Sequence, residues 1–294
     1  MSEQPRRSRA ATAENGGRRD LSRPPAPEPL PLPVTDNHTH LDIGDGVSPF
    51  TAQQALDAAA EVNVLRAVQV GCDLPGARWA VDAAQRYPQL VAAVALHPNE
   101  APVLAERGEL DDALAEIEEL AGHDVVRAVG ETGLDHFRTG LEGRAAQEES
   151  FRRHIDLAKR LGKPLMIHDR DAHDDILRVL ESEGLPEHWV MHCFSGDADF
   201  ARRCLDLGGH LSFAGTVTFK NAGPLREALA LTPADRMLVE TDAPFLTPHP
   251  YRGRPNAGYL IPLTVRTMAE VTGRDLAEVC AALEENTERV YGAW

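Results

Sequence analysis

Asp36-Asn37-His38-Thr39-His40-Leu41-Asp42 is the stretch of this 294-residue chain from which its fold can be worked out. Val34 and Leu41 indicate a short strand, in which alternate side chains point to the same face. His38 and His40 would therefore share one face at the end of that strand. Two neutral imidazoles side by side form half of a binding site for a divalent metal ion. The stretch predicts a metal site that residues from elsewhere in the chain complete.

Short apolar runs alternate with amphipathic segments along the rest of the chain. Eight runs predict strands: Val34–Leu41, Val64–Gly71, Leu90–Leu96, Val125–Glu131, Pro164–His168, Trp189–Cys193, His210–Ala214 and Met237–Asp242. Segments with apolar residues at three- and four-residue spacing predict helices at Thr51–Val62, Leu110–Leu120, Ala145–Leu161 and Ala172–Glu183. This alternation predicts an α/β fold, a single-domain (β/α)₈ TIM barrel. An open doubly wound sheet is the alternative, but no Gly-x-Gly-x-x-Gly follows the first strand.

Composition limits the class of protein. Hydrophobic residues make up 43% of the chain, enough for a large core, and no apolar run approaches the length of a membrane span. The four cysteines show no Cys-x-x-Cys pattern, so we expect reduced thiols and a cytoplasmic protein. A net charge of −16 argues against binding nucleic acid through the overall field. It does not argue against an enzyme whose positive charge resides in metal ions.

Residues 1–33 differ in composition from the rest of the chain. They contain six arginines, four acidic residues and many prolines, without the apolar core of a secretory signal. This composition predicts a disordered tail, partly polyproline II, followed by a folded domain over residues 34–294. We therefore expect removal of the tail to leave stability and activity nearly unchanged. A docking peptide for a partner is the alternative.

Histidines and carboxylates stand at or just after the ends of six predicted strands. In a (β/α)₈ barrel the strand ends that carry the chemistry are the carboxyl ends, which share one rim. Residues placed at random over the surface would not fall at strand ends, so the positions of these side chains predict a common site. Its members are His38, His40, His97, Glu131, His168, His192 and Asp242.

Motifs in this order resemble the TatD-type metal-dependent deoxyribonucleases of the metallo-dependent hydrolase superfamily. The matching stretches are 36–42, 130–135, 167–172, 191–196 and 240–246, with further matches at 217–221, 250–253 and 286–292. The resemblance extends from about residue 34 to the end of the chain. Two positions depart from the family pattern. Asn256-Ala257-Gly258 lacks the usual acidic residue and proline, and Thr132 replaces an aliphatic residue.

Six residues are the predicted metal ligands, and the resemblance implies the same six. His38, His40 and Asp242 would hold one ion, and His168 and His192 a second. Glu131 would bridge the two ions, which in such hydrolases lie about 3.5–4 Å apart and activate a water molecule. Asp242 would accept the proton of that water as general base, so Glu131 and Asp242 are the predicted catalytic residues. The donors fit Zn²⁺ or Mn²⁺ better than Mg²⁺, whereas the resemblance implies Mg²⁺, so the identity of the two divalent ions stays open.

Five residues are candidates for binding a substrate phosphate: His97, Arg170, Ser195, Lys220 and Arg252. Arginine and glycine-rich turns suit a phosphate, but a loop cap or a structural ion pair explains each residue equally well. Glu240, and Asp36 beneath His38, are expected to be partners of metal-binding histidines.

The resemblance implies DNA as the substrate, attacked from single-stranded 3′ ends by a 3′–5′ exodeoxyribonuclease. An ester or amide hydrolase on the same dinuclear site, for example a D-aminoacyl-tRNA deacylase, is the main alternative. A glutamate at the bridging position, where amidohydrolases more often carry a lysine, favours the nuclease. A non-catalytic binding barrel is disfavoured because all six ligands are present. We expect a monomer that does not associate with membranes.

Overall fold

The computed structural model describes residues 4–12 and 16–294. Within these residues the strands are β1 (Arg7–Ser8), β2 (Val34–Thr39), β3 (Ile43–Gly44), β4 (Val64–Gly71), β5 (Leu90–Val94), β6 (Val126–Asp135), β7 (Leu165–Arg170), β8 (Trp189–Met191), β9 (His210–Phe213) and β10 (Met237–Val239). The helices are α1 (Ala52–Ala60), α2 (Leu74–Arg86), α3 (Glu100–Glu106), α4 (Leu110–Ala121), α5 (Leu141–Leu161), α6 (His173–Glu183), α7 (Ala198–Asp206), α8 (Gly223–Leu231), α9 (Ile261–Thr272) and α10 (Leu276–Tyr291). Short 3₁₀ helices cover Gly215–Thr218, Ala234–Arg236 and Gly258–Leu260.

Eight of these strands form one sheet in the order β10-β9-β8-β7-β6-β5-β4-β2. Consecutive strands pair in parallel from β5 to β6, β7, β8 and β9, as in a repeated βα unit. The two ends of the order meet at a parallel bridge between Thr39 and Ala243. The Asn37 side chain also donates a hydrogen bond to the Val239 carbonyl at 2.9 Å. The predicted (β/α)₈ barrel is confirmed, and all eight predicted strands are present.

The four predicted helices are also present, and their ends follow from local chemistry. α1 begins after Thr51, whose hydroxyl accepts from the Gln54 amide while the Gln54 side chain accepts from the Thr51 amide. α5 begins at Leu141, four residues before the predicted start at Ala145, and ends at Gly162 with φ of 60°. Glycine adopts this left-handed conformation without a steric penalty, so it ends the helix there. None of the helices in the described residues has the length and apolar content that crossing a membrane requires.

The contacts divide the chain into two compact units. Unit 1 consists of Met1–Val68 and Ser212–Thr287, and unit 2 of Gln69–Leu211 and Glu288–Trp294. Each unit has buried apolar side chains from strands and from the helices that cover them. Those of unit 1 include Val34, Phe213, Leu238, Leu260 and Val265, and those of unit 2 include Val94, Ile117, Phe151, Ile167 and Trp189.

The N-terminal segment, residues 4–12 and 16–33, packs within unit 1. β1 pairs in parallel with β3, so that Arg7 lies opposite Ile43. Arg19 is only 8% exposed. Its guanidinium donates to both carboxylate oxygens of Asp45, at 3.0 and 2.5 Å. Farther along, Leu30 is buried in the core.

Two more arginines of the N-terminal segment contact the chain just beyond β2 and β10. Arg6 donates to the Asp42 carboxylate at 3.1 Å, and Arg9 donates to the Pro244 carbonyl at 2.6 Å. This arrangement differs from the disordered tail that composition predicts, although residues 1–3 and 13–15 of that tail lie outside the described residues. The physical reason is ion pairing with Asp42 and Asp45, which a count of residue types does not reveal.

Deleting residues 1–33 is therefore expected to lower the melting temperature, contrary to the expectation from composition. The deletion removes the buried Leu30 side chain from the core, a loss that costs about 2–5 kcal/mol, and it also removes the Arg19–Asp45 ion pair. At about 2–4 °C per kcal/mol for a large domain, the shift is on the order of 10 °C in a calorimetric scan.

Two arginine variants provide matched controls for the deletion. Arg19→Ala should reproduce much of the loss, whereas Arg18→Ala, at an exposed neighbouring position, should leave the melting temperature unchanged. Equal melting temperatures for wild type, Arg19→Ala and the deletion would contradict packing of the N-terminal segment.

Candidate metal centre

The first candidate ligand group lies in unit 1, where β2 and β10 end. His38 and His40 are buried, and their Nε2 atoms are 3.1 Å apart. Asp242 Oδ1 lies 3.3 Å from His40 Nε2 and 3.7 Å from His38 Nε2. The alternation of side chains along β2 brings the two histidines together as predicted, and Asp242 joins them from the other strand.

This group fits a divalent metal ion. Two nitrogens bound to one tetrahedral ion at about 2.0–2.1 Å each are about 3.3 Å apart, close to the spacing seen here. Imidazole and carboxylate donors suit Zn²⁺ and Mn²⁺, and a carboxylate also suits Mg²⁺. His38, His40 and Asp242 therefore offer three convergent ligand atoms from two strand ends.

Asp36 holds these two strand ends together. Its carboxylate accepts a hydrogen bond from the Thr241 hydroxyl at 2.6 Å and from the Thr241 amide at 2.9 Å. The same carboxylate accepts from the His38 amide at 3.3 Å, and the Asp242 amide donates to the His38 carbonyl at 2.9 Å. Burial raises the pKa of Asp36 to about 7, although the bonds from Thr241 act in the opposite direction. Asp36 thus acts on the backbone that carries the ligands. Glu240, the other residue predicted to be a partner of a metal-binding histidine, is also buried.

The second candidate ligand group lies in unit 2 and is centred on Glu131. Glu131 Oε1 is 2.6 Å from His168 Nδ1, 3.1 Å from His192 Nε2 and 3.5 Å from His97 Nε2. The predicted ligands Glu131, His168 and His192 are therefore adjacent. His97, which the sequence predicts as a member of the common site and as a phosphate contact but not as a ligand, lies in the same group, with its ring centroid 4.5 Å from that of His168.

The pKa values of this group depend on burial and on the neighbouring ionisable side chains. Burial alone would raise the pKa of Glu131, but His192 and a hydrogen bond from His168 hold it well below its usual value, so the carboxylate is ionised. Burial would lower the pKa of His168, but hydrogen bonds to Asp135 and Glu131 raise it to about 8. Burial lowers the pKa of His97 to about 3, so this imidazole is neutral. A metal ion needs an ionised carboxylate and neutral imidazoles, so an ion in this group would displace the proton that Asp135 and Glu131 favour on His168.

Asp135 also lies beside the second ligand group, although the sequence predicts no role for it. Its buried carboxylate lies 3.5 Å from His168 Nε2 and accepts from the Asn99 side chain at 3.0 Å. The carboxylate also accepts from the amides of Phe137 and Arg138, at 3.1 and 2.8 Å. The signal that indicates it is spacing, because in a regular strand Asp135, four residues after Glu131, would share its face.

The other predicted substrate contacts have different surroundings. The Arg170 guanidinium lies over the Phe137 ring at 3.9 Å in unit 2, and that of Arg252 lies over Phe219 at 4.4 Å in unit 1. Ser195, which precedes α7, and Lys220, which follows Phe219, are both exposed. The role of all four residues in substrate binding stays a prediction.

Comparisons with known proteins point to one family. The model of the family described as TatD related DNase matches residues 35–292. A relative named uncharacterized metal-dependent hydrolase TatD, from Mycobacterium tuberculosis, is 48% identical over 263 residues, covering 88% of this chain and 98% of that protein. The uncharacterized metal-dependent hydrolase YabD of Bacillus subtilis is 37% identical over 257 residues. The match covers 87% of this chain and 98% of that protein.

A solved structure shows the same similarity. The crystal structure of YJJV, a TatD homolog from Escherichia coli k12, matches with a TM-score of 0.80 and 27% sequence identity, covering 89% of this chain and 98% of that one. The family match begins at residue 35, so the N-terminal segment lies outside it.

Proposed function

The chain belongs to the TatD family of metal-dependent hydrolases, and from this premise we propose that it hydrolyses phosphodiester bonds in DNA. The observation that carries the proposal is the presence of two ligand groups. His38, His40 and Asp242 would hold one divalent ion, and Glu131, His168 and His192 a second. Two-metal sites are a common solution for displacement at phosphorus, because they stabilise both the attacking and the leaving oxygen. The name of the matching family model supports DNA as the substrate.

The residues of the two groups have distinct proposed roles. A divalent ion at such a site lowers the pKa of water and so supplies a nucleophile at neutral pH. Asp242 is the proposed general base, because its side chain is 16% exposed and its Oδ1 lies at the ligand group. Glu131, whose carboxylate His192 and His168 keep ionised, is the other proposed catalytic residue and would hold the second ion. The ions in use are proposed to be Mg²⁺ or Mn²⁺, with Zn²⁺ as the alternative.

Single-stranded 3′ ends are the proposed site of attack. The chain carries a net charge of −16, so duplex DNA is repelled except where metal ions and arginines offset that charge. A blunt duplex end must also fray before its last phosphodiester is accessible, at about a few kcal/mol for unpairing and unstacking. Both the charge repulsion and the cost of unpairing are smaller for a single strand.

Stepwise release of mononucleotides from single strands is the expected result, with slow attack on blunt duplexes. The test follows one oligonucleotide, labelled at either end, single-stranded and annealed, on denaturing gels with Mg²⁺, Mn²⁺ or Zn²⁺. A chelator should abolish cleavage, and Mg²⁺ or Mn²⁺ should restore it.

The gel pattern separates the possible reactions. Equal rates on both forms, or internal cuts appearing first, would contradict terminal attack on single strands. No cleavage with any of the three ions would favour an ester or amide substrate, which a D-aminoacyl-tRNA deacylation assay then tests.

A further inference from the structure

A phenylalanine capped by an arginine lies at the ends of two neighbouring strands of unit 2. Phe137 follows β6, and Arg170 is the last residue of β7, with its guanidinium carbon 3.9 Å from the Phe137 ring centroid. The strands pair in parallel with Asp135 opposite Arg170, and the His136 amide donates to the Arg170 carbonyl at 2.9 Å. Strand pairing therefore fixes the backbone on which both side chains stand.

This pair is connected directly to the second ligand group. The Phe137 amide donates to Asp135 Oδ1 at 3.1 Å, and the other oxygen of the same carboxylate lies 3.5 Å from His168 Nε2. Arg170 stands two residues after His168 on β7, so the two side chains leave the same face of that strand. The aromatic ring thus lies at the carboxyl ends of the two strands that supply Glu131 and His168.

Phe137 is exposed although its side chain is large and apolar. It keeps 59% of its surface accessible, whereas Phe151, Phe194 and Phe200 of the same unit are buried. The ring therefore adds little to the core, and what distinguishes it from other exposed apolar side chains is its place beside Arg170 and the second ligand group. Aromatic rings flanked by arginine are the chemistry by which proteins hold unpaired bases, since every base has a π-face and guanidinium also stacks on it.

We propose that Phe137 and Arg170 form a stacking platform for one nucleobase of a single-stranded substrate, close to the phosphodiester that is cleaved. The proposal rests on the proposed function and adds to it the recognition of an unpaired base. A base inside a duplex is stacked on both sides and offers no free face to the ring. The platform therefore selects single strands without reading their sequence.

The test combines ring variants with substrates that lack one base. The variants are Phe137→Ala, Phe137→Leu and Phe137→Tyr, and the control is Leu141→Ala, which removes another exposed apolar side chain nearby in the sequence. Each is assayed with Mn²⁺ on an intact single-stranded oligonucleotide. The same assay uses oligonucleotides carrying one tetrahydrofuran abasic residue at successive positions from the 3′ end.

One abasic position should raise the wild-type KM on the order of tenfold, the effect of losing one stacked base, with little change in kcat. Phe137→Ala should raise KM to a similar extent on the intact strand and show no further rise at that abasic position, because the two changes remove the same contact. Phe137→Leu should behave like the alanine variant, since it keeps apolar area without a π-face. Phe137→Tyr and Leu141→Ala should match the wild type.

Binding measured without cleavage separates this proposal from the proposed function. Fluorescence anisotropy with the labelled oligonucleotide in Ca²⁺ reports whether the wild type prefers the intact strand and whether Phe137→Ala loses that preference. If the wild type prefers the intact strand, Phe137→Ala loses that preference and no phosphodiester is cleaved, the nuclease is overturned and the platform stands. Cleavage with the same abasic penalty in the wild type and Phe137→Ala would overturn the platform and leave the nuclease. Absence of any strand binding would overturn the platform as well.

Discussion

Asp242→Asn is expected to lower kcat by about 10²–10⁴-fold, the usual loss when a general base is removed. Asparagine keeps an oxygen that coordinates a metal weakly, but it cannot accept a proton. The backbone at residue 242 has φ of 52°, a left-handed conformation that asparagine adopts more easily than most residues. The variant should therefore fold normally and lose turnover rather than substrate binding. Steady-state kinetics at saturating Mn²⁺, with a thermal melt of each protein, provide the measurement.

A matched control distinguishes loss of the base from loss of one negative charge. Asp57→Asn makes the same chemical change at an exposed position of α1 and should leave kcat and KM unchanged. A fall in kcat of less than tenfold for Asp242→Asn would show that another group accepts the proton.

His38→Ala combined with His40→Ala is expected to abolish hydrolysis and to remove the ion proposed for unit 1. The two histidines supply two of the three convergent ligand atoms, and Asp242 alone binds a divalent ion weakly. Elemental analysis after dialysis should show about one ion fewer per chain than in the wild type, if each group holds one ion as in two-metal hydrolases. Circular dichroism should show retained secondary structure.

The complementary variant, His168→Ala with His192→Ala, should lose the other ion. Loss of all metal from both double variants would indicate a single ion shared by the six residues, and unchanged content would contradict the assignment altogether. His123→Ala, at an exposed position, is the control for loss of a histidine as such.

The fold and the two candidate ligand groups were predictable because they depend on patterns that lie close together in the sequence. Apolar runs separated by amphipathic segments indicate βα repeats, and the architecture then brings the carboxyl ends of the strands to one rim. His38 and His40 needed only the alternation of a strand. The strand boundaries were less predictable. β6 continues to Asp135, four residues past its predicted end, because Thr132–Asp135 pair with Ile167–Arg170 of β7. The polarity of those residues hides the pairing.

The hydrogen bond that positions His97 and the packing of the N-terminal segment show what local pattern cannot reveal. His97 follows β5, and its amide donates to the Cys72 carbonyl after β4, so its position depends on a contact with another strand end. The N-terminal segment is held by ion pairs between residues 26 and 36 positions apart, such as Arg19 with Asp45 and Arg6 with Asp42. Neither contact leaves a periodic signal in the sequence.

The contacts of the N-terminal segment have a consequence for how salt acts on the protein. Arg6 and Arg19 already have carboxylates as internal counterions, so they displace few ions from a DNA strand on binding. The slope of log affinity against log salt counts only the basic groups that neutralise phosphates, and these two arginines do not add to it. Salt instead weakens these ion pairs and so lowers the stability of unit 1. It screens the more exposed pair, Arg6 with Asp42, first.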